Sequence, residues 1–390
     1  METVDISTIK NLIQDTHVNF LVGSGASRPF LATLNNIETL SDEVRKICSD
    51  ENTLKVVDAS LHASFFNEVI KKNMATDGDA GADITIGNYE NFLSNLNHLI
   101  SDNKNPLIAK QVNLFTTNVD TLIEHAADKS GVELNDGFKG RLSASYRLDN
   151  FRTRLFKLTL HYDNSAEVPV FNLLKIHGSL TWKIAEDDKI TFNKDLVTVE
   201  NAGKALAAVD AANLIEIKKE ITPQQLIDAA SILPITAELN TFEETYGELA
   251  IVNPSKDKFK RTVMQQAFYD LLRQYSNELE REATSLFVIG FSFADEHIRA
   301  LTIRAANTNP TLVVYVFCHT EDTKSEIKEL FKNENFIYGN IKFIAPEDIE
   351  DEGVDIEKLN LESISKSIFS PLSMAISNHK KEDAKEDDKS

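Results

Sequence analysis

Four short, mostly apolar runs along the chain each stop abruptly at a polar turn. Val18–Val22 runs into Gly23-Ser24-Gly25-Ala26-Ser27, and Val112–Phe115 into Thr116-Thr117-Asn118-Val119-Asp120. Leu173–Ile176, interrupted only by Lys175, runs into His177-Gly178-Ser179, and Leu286–Ile289 into Gly290-Phe291-Ser292-Phe293-Ala294-Asp295. Runs this short cannot make helices and predict strands covered on both faces. Leu312–Cys318 and Ile341–Ile344 predict two further strands, and Phe151–Tyr162 alternates as a strand would.

Helical spacing fills the intervals. Residues 1–17 predict a short helix with Asp5 or Ser7 as cap and Ile9, Leu12 and Ile13 as its stripe. Leu54–Ile70 and Tyr89–Ile100 predict two more, and the Gly-, Asp- and Asn-rich residues 71–88 between them predict an exposed loop. Helices are also predicted after Asp120 (Leu122, Ile123, His125, Ala126), over Ala205–Ile217, over Thr262–Ala283, after Asp295 (Ile298, Leu301, Ile303, Ala306) and over Glu321–Asn333; Ile251–Asp257 predicts a loop. Strands alternating with helices predict an α/β fold, a Rossmann-like doubly wound parallel sheet. Residues 1–375 form one body on this reading. Residues 35–110 are an inserted helical subdomain or lid, and 183–250 a polar, partly helical insertion without chemical motif. Residues 376–390 are a disordered tail, since nine of the twelve residues His379–Ser390 are charged.

Composition narrows the function classes. A net charge of -20 argues against a general nucleic-acid surface, which needs clustered Lys and Arg. It leaves room for a small anion held by backbone N–H groups. No run of about 18 apolar residues occurs, so a membrane span is not expected. The first residues lack a basic region followed by an apolar core, so they are not read as a signal peptide. The two cysteines, Cys48 and Cys318, are then expected as free thiols in a reducing cytoplasm. Two cysteines cannot build a four-thiolate zinc site, and no metal is expected.

Each strand-end turn carries two readings. GSGAS is either a tight strand–helix connection or a place where Gly23 and Gly25 let the backbone approach a pyrophosphate, with a helix dipole behind it. Arg28 stands where the third glycine of a GxGxxG motif would fall. Asn118 and Asp120 either cap the following helix or hold ribose hydroxyls or a water. His177 is either a structural histidine or a general base, a role suited to an imidazole that titrates near neutrality. It is the only histidine that directly follows a buried strand in a glycine-containing turn. Gly290 and Ser292 could approach a ribose or phosphate; Asp295 could be only a helix cap and His297 only a surface residue. Trp182 and Phe293 are read as core. Four such turns in succession point to one nucleotide site with His177 at its centre.

The order of GSGAS, TTNVD, KIHGS and GFSFAD resembles the sirtuin superfamily, over residues 18–180 and 286–318. The resemblance implies that NAD+ is bound as substrate. Gly23, Ser24, Gly25, Ala26 and Ser27 would hold its phosphates, and Thr117, Asn118 and Asp120 would line the nicotinamide–ribose pocket. His177 would be the catalytic base, and Gly290, Ser292 and Asp295 would lie toward the adenosine half. Protein-deacylating sirtuins carry four zinc cysteines, and their first motif runs on to Asp-Phe-Arg where this chain has Arg28-Pro29-Phe30; their peptide-binding stretch is not evident here. TTNVD, KIHGSLTW and GFSFADEHI look instead like the bacterial sirtuin-like proteins of anti-phage defence. That branch implies an NAD+ hydrolase, giving nicotinamide and ADP-ribose, without zinc, that causes abortive infection by depleting NAD+. It further implies a homo-oligomer, in some systems with a translocase-type ATPase partner, and low activity until assembly or a phage cue, with residues 35–110 and 74–88 as places for a gate. The alternatives are a non-catalytic NAD+ or ADP-ribose-binding assembly subunit, and an NAD-dependent protein deacylase or ADP-ribosyltransferase.

Overall fold

A computed structural model describes residues 5–32, 37–74, 76, 78–158, 160, 164–187, 189–218, 220–252, 262–332, 334, 336–349 and 356–376. The tail at 377–390 and residues 253–257 of the loop predicted at Ile251–Asp257 lie outside the described residues.

Helix α1 (Ile6–Asp15) leads into β1 (His17–Val22) and a short 3-10 turn (Ser24–Ser27). Helices α2 (Ile37–Ile47), α3 (Glu51–Phe65, prolonged by a π turn over Phe66–Ile70) and α4 (Ala80–Ser101) precede β2 (Gln111–Thr116) and α5 (Leu122–Ser130). Then come β3 (Glu133–Asn135), β4 (Phe138–Lys139), β5 (Ser145–Tyr146), β6 (Leu155–Leu158), β7 (Ser165–Val168), β8 (Val170–Lys175), β9 (Trp182–Ile184) and β10 (Ile190–Phe192). Helices α6 (Val197–Ala208), α7 (Pro223–Ala230), α8 (Ala237–Tyr246) and α9 (Thr262–Leu279) follow. The last third runs β11 (Thr284–Ile289), α10 (Glu296–Thr308), β12 (Leu312–Phe317), α11 (Glu321–Leu330), β13 (Ile341–Ile344) and α12 (Leu361–Ile364).

Seven strands form one parallel sheet in the order β13-β12-β11-β1-β2-β8-β3. The four strands with polar turns are thus four neighbours, β11, β1, β2 and β8. Chain order reverses where β11 meets β1, and such a switch point opens a crevice at the carboxyl ends of the strands. Side chains alternate across the sheet. Phe20 and Val22 face a layer containing α1, α4, α5 and α12, while Leu21 faces α9, α10 and α11. Both faces are covered, which is why the strands read as mostly apolar runs.

The strands are also held in register by a polar ladder. Asn113 Nδ2 donates to Asn19 Oδ1 (2.9 Å), Asn172 Nδ2 to Asn113 Oδ1 (2.9 Å) and Asn135 Nδ2 to Asn172 Oδ1 (3.0 Å). Asn19 Nδ2 closes the chain on Ser285 O. The four asparagines are paired residues of β1, β2, β8 and β3. A one-residue slip would send every amide to the other face, so the ladder helps fix the level at which the strands end.

Three stretches depart from expectation. Residues 71–88 are not an exposed loop throughout: α4 begins at Ala80, where Asp79 Oδ1 accepts from Ala82 N (2.9 Å). Gly81 and Gly87 each cost about 1 kcal/mol inside a helix, but Ala82, Thr85 and Ile86 are buried on this turn. The helix expected over Ala205–Ile217 ends at Ala208, because the Asp210 side chain captures Ala212 N and starts a separate 3-10 turn. The stretch expected as one strand over Phe151–Tyr162 opens in a 3-10 turn and continues as β6, which pairs antiparallel with β7; residues 159, 161 and 162 lie outside the described residues. Helices α2, α3 and α7 share a small core of their own around Leu40, Val44, Val57 and Leu226. Helix α4, by contrast, packs on the main sheet. No helix among the described residues is long and apolar enough to cross a membrane.

Candidate active site

The cleft opens at the switch point and is lined from all four strand-end turns. Its walls include Ser24 and Ser27 after β1, Thr117, Asn118 and Asp120 after β2, His177 after β8, and Gly290, Ser292 and Asp295 after β11. Val119, Phe291 and Ala294 of the same turns and Leu31, Ala32, Thr39, Phe65, Val69 and Val252 complete it. Its open space, with the mouth and adjoining solvent included, is ≈ 1010 Å³. The apolar contributors from α3 and its π turn carry no motif and could not be read from sequence.

Gly23, Gly25 and Ala26 do not line the cleft; they are the back of the first turn. Gly23 N donates to Ile289 O and Gly25 N to Gly290 O, both at 2.9 Å, and Ala26 N donates to Gly23 O at 3.1 Å. The glycines are required because the two turns interlock: a Cβ on Gly23 would lie 2.4 Å from Gly290 O, and one on Gly290 would lie 2.3 Å from Ala26 N. Gly290 also has φ +64°. The turn ends in a four-residue 3-10 segment rather than the helix start expected, so no long helix dipole stands behind it. Tight loop packing, not exposure of N–H groups to a phosphate, accounts for the spacing of these glycines.

Beneath the cleft lies a buried hydrogen-bonded cluster centred on Ser27. Asn118 Nδ2 donates to Ser27 Oγ (3.0 Å) and to Gly23 O (3.1 Å), and Ser27 Oγ donates to Asp120 Oδ2 (2.9 Å). A hydroxyl has one hydrogen and two lone pairs, so Tyr89, 3.3 Å away, is the second donor into Ser27. Both amide hydrogens of Asn118 are spent, which leaves Oδ1 as its remaining acceptor. Asp120 Oδ1 accepts from Leu122 N (3.1 Å), so Asp120 does serve the first turn of α5. Burial raises its pKa above the usual carboxylate range, against the pull of the Lys175 ammonium. Burial also pushes the Tyr89 phenol up.

Lys175 explains the break in the third apolar run. Its ammonium is buried beside Glu124 Oε1 (2.6 Å) and donates to Asp120 O and to Ser179 Oγ (3.2 Å). A lysine inside a buried strand signals an ion pair, although the sequence does not say with which residue.

His177 stands on a turn built around Gly178, which has φ +80° and whose Cβ would lie 2.2 Å from Ala250 O. His177 O accepts from Val252 N (2.8 Å), which ties the turn to the chain beyond α8. Its Nε2 lies 3.1 Å from Asp295 Oδ2. Asp295 Oδ1 meanwhile accepts from His297 N (2.9 Å) and Ile298 N (3.1 Å), capping α10. Burial works to raise the pKa of Asp295, but the hydrogen bond and charge of His177 and the Ile298 N–H outweigh it and hold it below the usual range. Asp295 is thus the helix cap that the sequence offered, and its other oxygen meets His177, a contact the sequence did not suggest. His297 is exposed, whereas Trp182 and Phe293 are core.

Cys48 and Cys318 are both free. No family model matches the sequence, and no curated protein matches it.

Proposed function

We propose that the protein is an NAD+ hydrolase that cleaves the nicotinamide–ribose bond with water, releasing nicotinamide and ADP-ribose. The observation that carries this reading is the meeting of four motifs, in sirtuin-like order, at the ends of four neighbouring strands around one cleft. The substrate's glycosidic nitrogen already bears positive charge, so nicotinamide leaves as a neutral base without an acid catalyst. What the site must supply is orientation of the ribose and a proton acceptor for water.

The ionised Asp295 can only accept, so the proton between it and His177 sits on Nε2, leaving Nδ1 as the imidazole lone pair. As the C–N bond breaks and the C–O bond forms, water gives its proton to that nitrogen, which later releases it to solvent. Asn118 Oδ1 accepts from a ribose hydroxyl or the water. Among the described residues no lysine or arginine lines the cleft, so in this reading the hydroxyls of Ser24 and Ser292, which do line it, donate to the diphosphate. Biologically, we assign this activity to bacterial anti-phage defence by NAD+ depletion, restrained until assembly or a partner, such as a translocase-type ATPase, engages.

The test is nicotinamide release from NAD+ by the purified full chain, alone and with candidate partners. Wild type should turn NAD+ over, and His177→Ala should lose at least about 100-fold. Equal turnover by His177→Ala refutes the assigned base. Binding of NAD+ without turnover under every condition favours the assembly subunit, and NAD-dependent removal of acetyl groups from a peptide favours the deacylase.

A further inference from the structure

Lys175 breaks an otherwise apolar strand, and the reaction proposed above makes no use of it. It is the last residue of β8 and is only 3% exposed. Burying an ammonium is costly, and apolar residues of similar volume often replace a buried ion pair without loss of stability. Packing alone therefore does not account for a lysine at this position.

The ammonium joins three parts of the chain. It lies 2.6 Å from Glu124 Oε1 of α5, donates to Asp120 O in the turn after β2, and donates to Ser179 Oγ (3.2 Å) in the turn after β8. These partners take all three of its N–H groups. Ser179 Oγ lies 2.9 Å from Thr181 Oγ1, and Leu180 N donates to Val119 O (3.1 Å), which closes the two turns against each other. One of these turns carries Asn118 and Asp120, and the other carries His177. The lysine is better served than its partner, since Glu124 Oε2 is buried without a hydrogen bond among the described residues.

The charges acting around the ammonium are negative: Glu124 from α5, Asp120 from the turn after β2 and Asp136 from the turn after β3. Asp120 also meets the Ser27 hydroxyl (2.9 Å) and acts on the buried Tyr89 phenol of α4. Burial raises the pKa of both Asp120 and Asp136, and the ammonium pulls both down. Glu124 works with burial at Asp120, so Lys175 brings the positive charge that opposes them.

We infer that Lys175 is a positioning residue of this site: its ammonium locks the turn bearing Asn118 and Asp120 onto the turn bearing His177 and gives the Asp120 carboxylate a buried counter-charge. An ionised Asp120 in the cleft wall favours positive charge on the ribose as nicotinamide departs; that consequence alone rests on the NAD+ reading.

The experiment is a double-mutant cycle on the full chain, Lys175→Met against Asp120→Asn, read by urea unfolding at pH 8 and pH 4. At pH 8 Asp120→Asn should stabilise the Lys175→Met chain more than it stabilises wild type, because the carboxylate there has lost its counter-charge. At pH 4 Asp120 carries its proton in both folded chains, and the two changes should add. If Lys175→Met alone does not fold, the cycle is run with Glu124→Gln in every chain, which leaves no unpaired ion behind. Nicotinamide release by Lys175→Met should fall about tenfold or more at neutral pH and recover toward wild type as rising pH restores the charge on Asp120. Additivity at both pH values overturns the inference whether or not the protein turns NAD+ over. So does a Lys175→Met enzyme that is fully active at neutral pH, or one impaired equally at every pH. A wild type that releases no nicotinamide counts against the reaction instead, and the unfolding cycle still decides the role of Lys175.

Discussion

His177 Nε2 and Asp295 Oδ2 lie 3.1 Å apart, although 118 residues separate them in the chain. One carboxylate holds the imidazole with one oxygen and the first turn of α10 with the other. Asp295→Asn separates these duties, because asparagine caps a helix as well as aspartate but brings no charge to the ring. Thermal stability at neutral pH should fall only by what the charged Asp295–His177 contact contributes, the cap being kept, while nicotinamide release should fall about tenfold or more, with the pH profile shifted. Full activity with an unshifted profile would remove Asp295 from the chemistry.

A buried and a half-buried carboxyl tilt the stability of the fold in opposite directions with pH. Asp295 has a lowered folded pKa. Its contribution is therefore present above its unfolded value of about 3.9 and is lost as pH falls through the folded value. Asp120 has a raised one, so its ionisation destabilises the fold as pH rises from the unfolded value through the folded value. Asp120→Asn should accordingly gain stability over wild type at pH 8 and lose that advantage near pH 4. Urea unfolding at the two pH values measures the difference, and an equal offset at both would show that burial does not govern this carboxyl.

Gly290→Ala should destabilise by about 2 kcal/mol or more, since the backbone is left-handed there and the new Cβ would enter the first turn. Gly131, also left-handed, has open space around it, and Gly131→Ala should cost about 1 kcal/mol, the backbone term alone. Chemical unfolding of the pair therefore separates strain from the interlock.

Asn113→Ala removes the middle of the ladder and leaves the Asn19 oxygen and an Asn172 N–H without their partners. The expected loss is about 1–3 kcal/mol. Alanine at the exposed Asn240 should stay within about 0.5 kcal/mol.

Much of the sheet was legible because its signals are local. Four apolar runs and the chemistry of the turns after them name the strands at β1, β2, β8 and β11 and the sides of the cleft. Pairings between distant segments were not legible. The asparagines at 19, 113, 135 and 172 look like interruptions in strands and become a ladder only once the strands are side by side. Lys175 announces a partner without naming Glu124. The start of α4 was hidden because glycines and aspartates that usually break helices are outweighed by an apolar stripe facing the sheet. The spacing of Gly23 and Gly25 suggested a ligand at close quarters, and the close neighbour is Gly290.

Strand β1 lies between β2 and β11, so one of its edges waits for residue 111 to be synthesised and the other for residue 284. Contacts of such sequence separation form late. A ribosome-bound chain therefore holds the first motif without the loop that locks it, and fragments ending before β11 lack one wall of the cleft. Whatever this site does to its ligand, it can begin only after residue 295 has been made, so translation products that stop short of it are inert by construction.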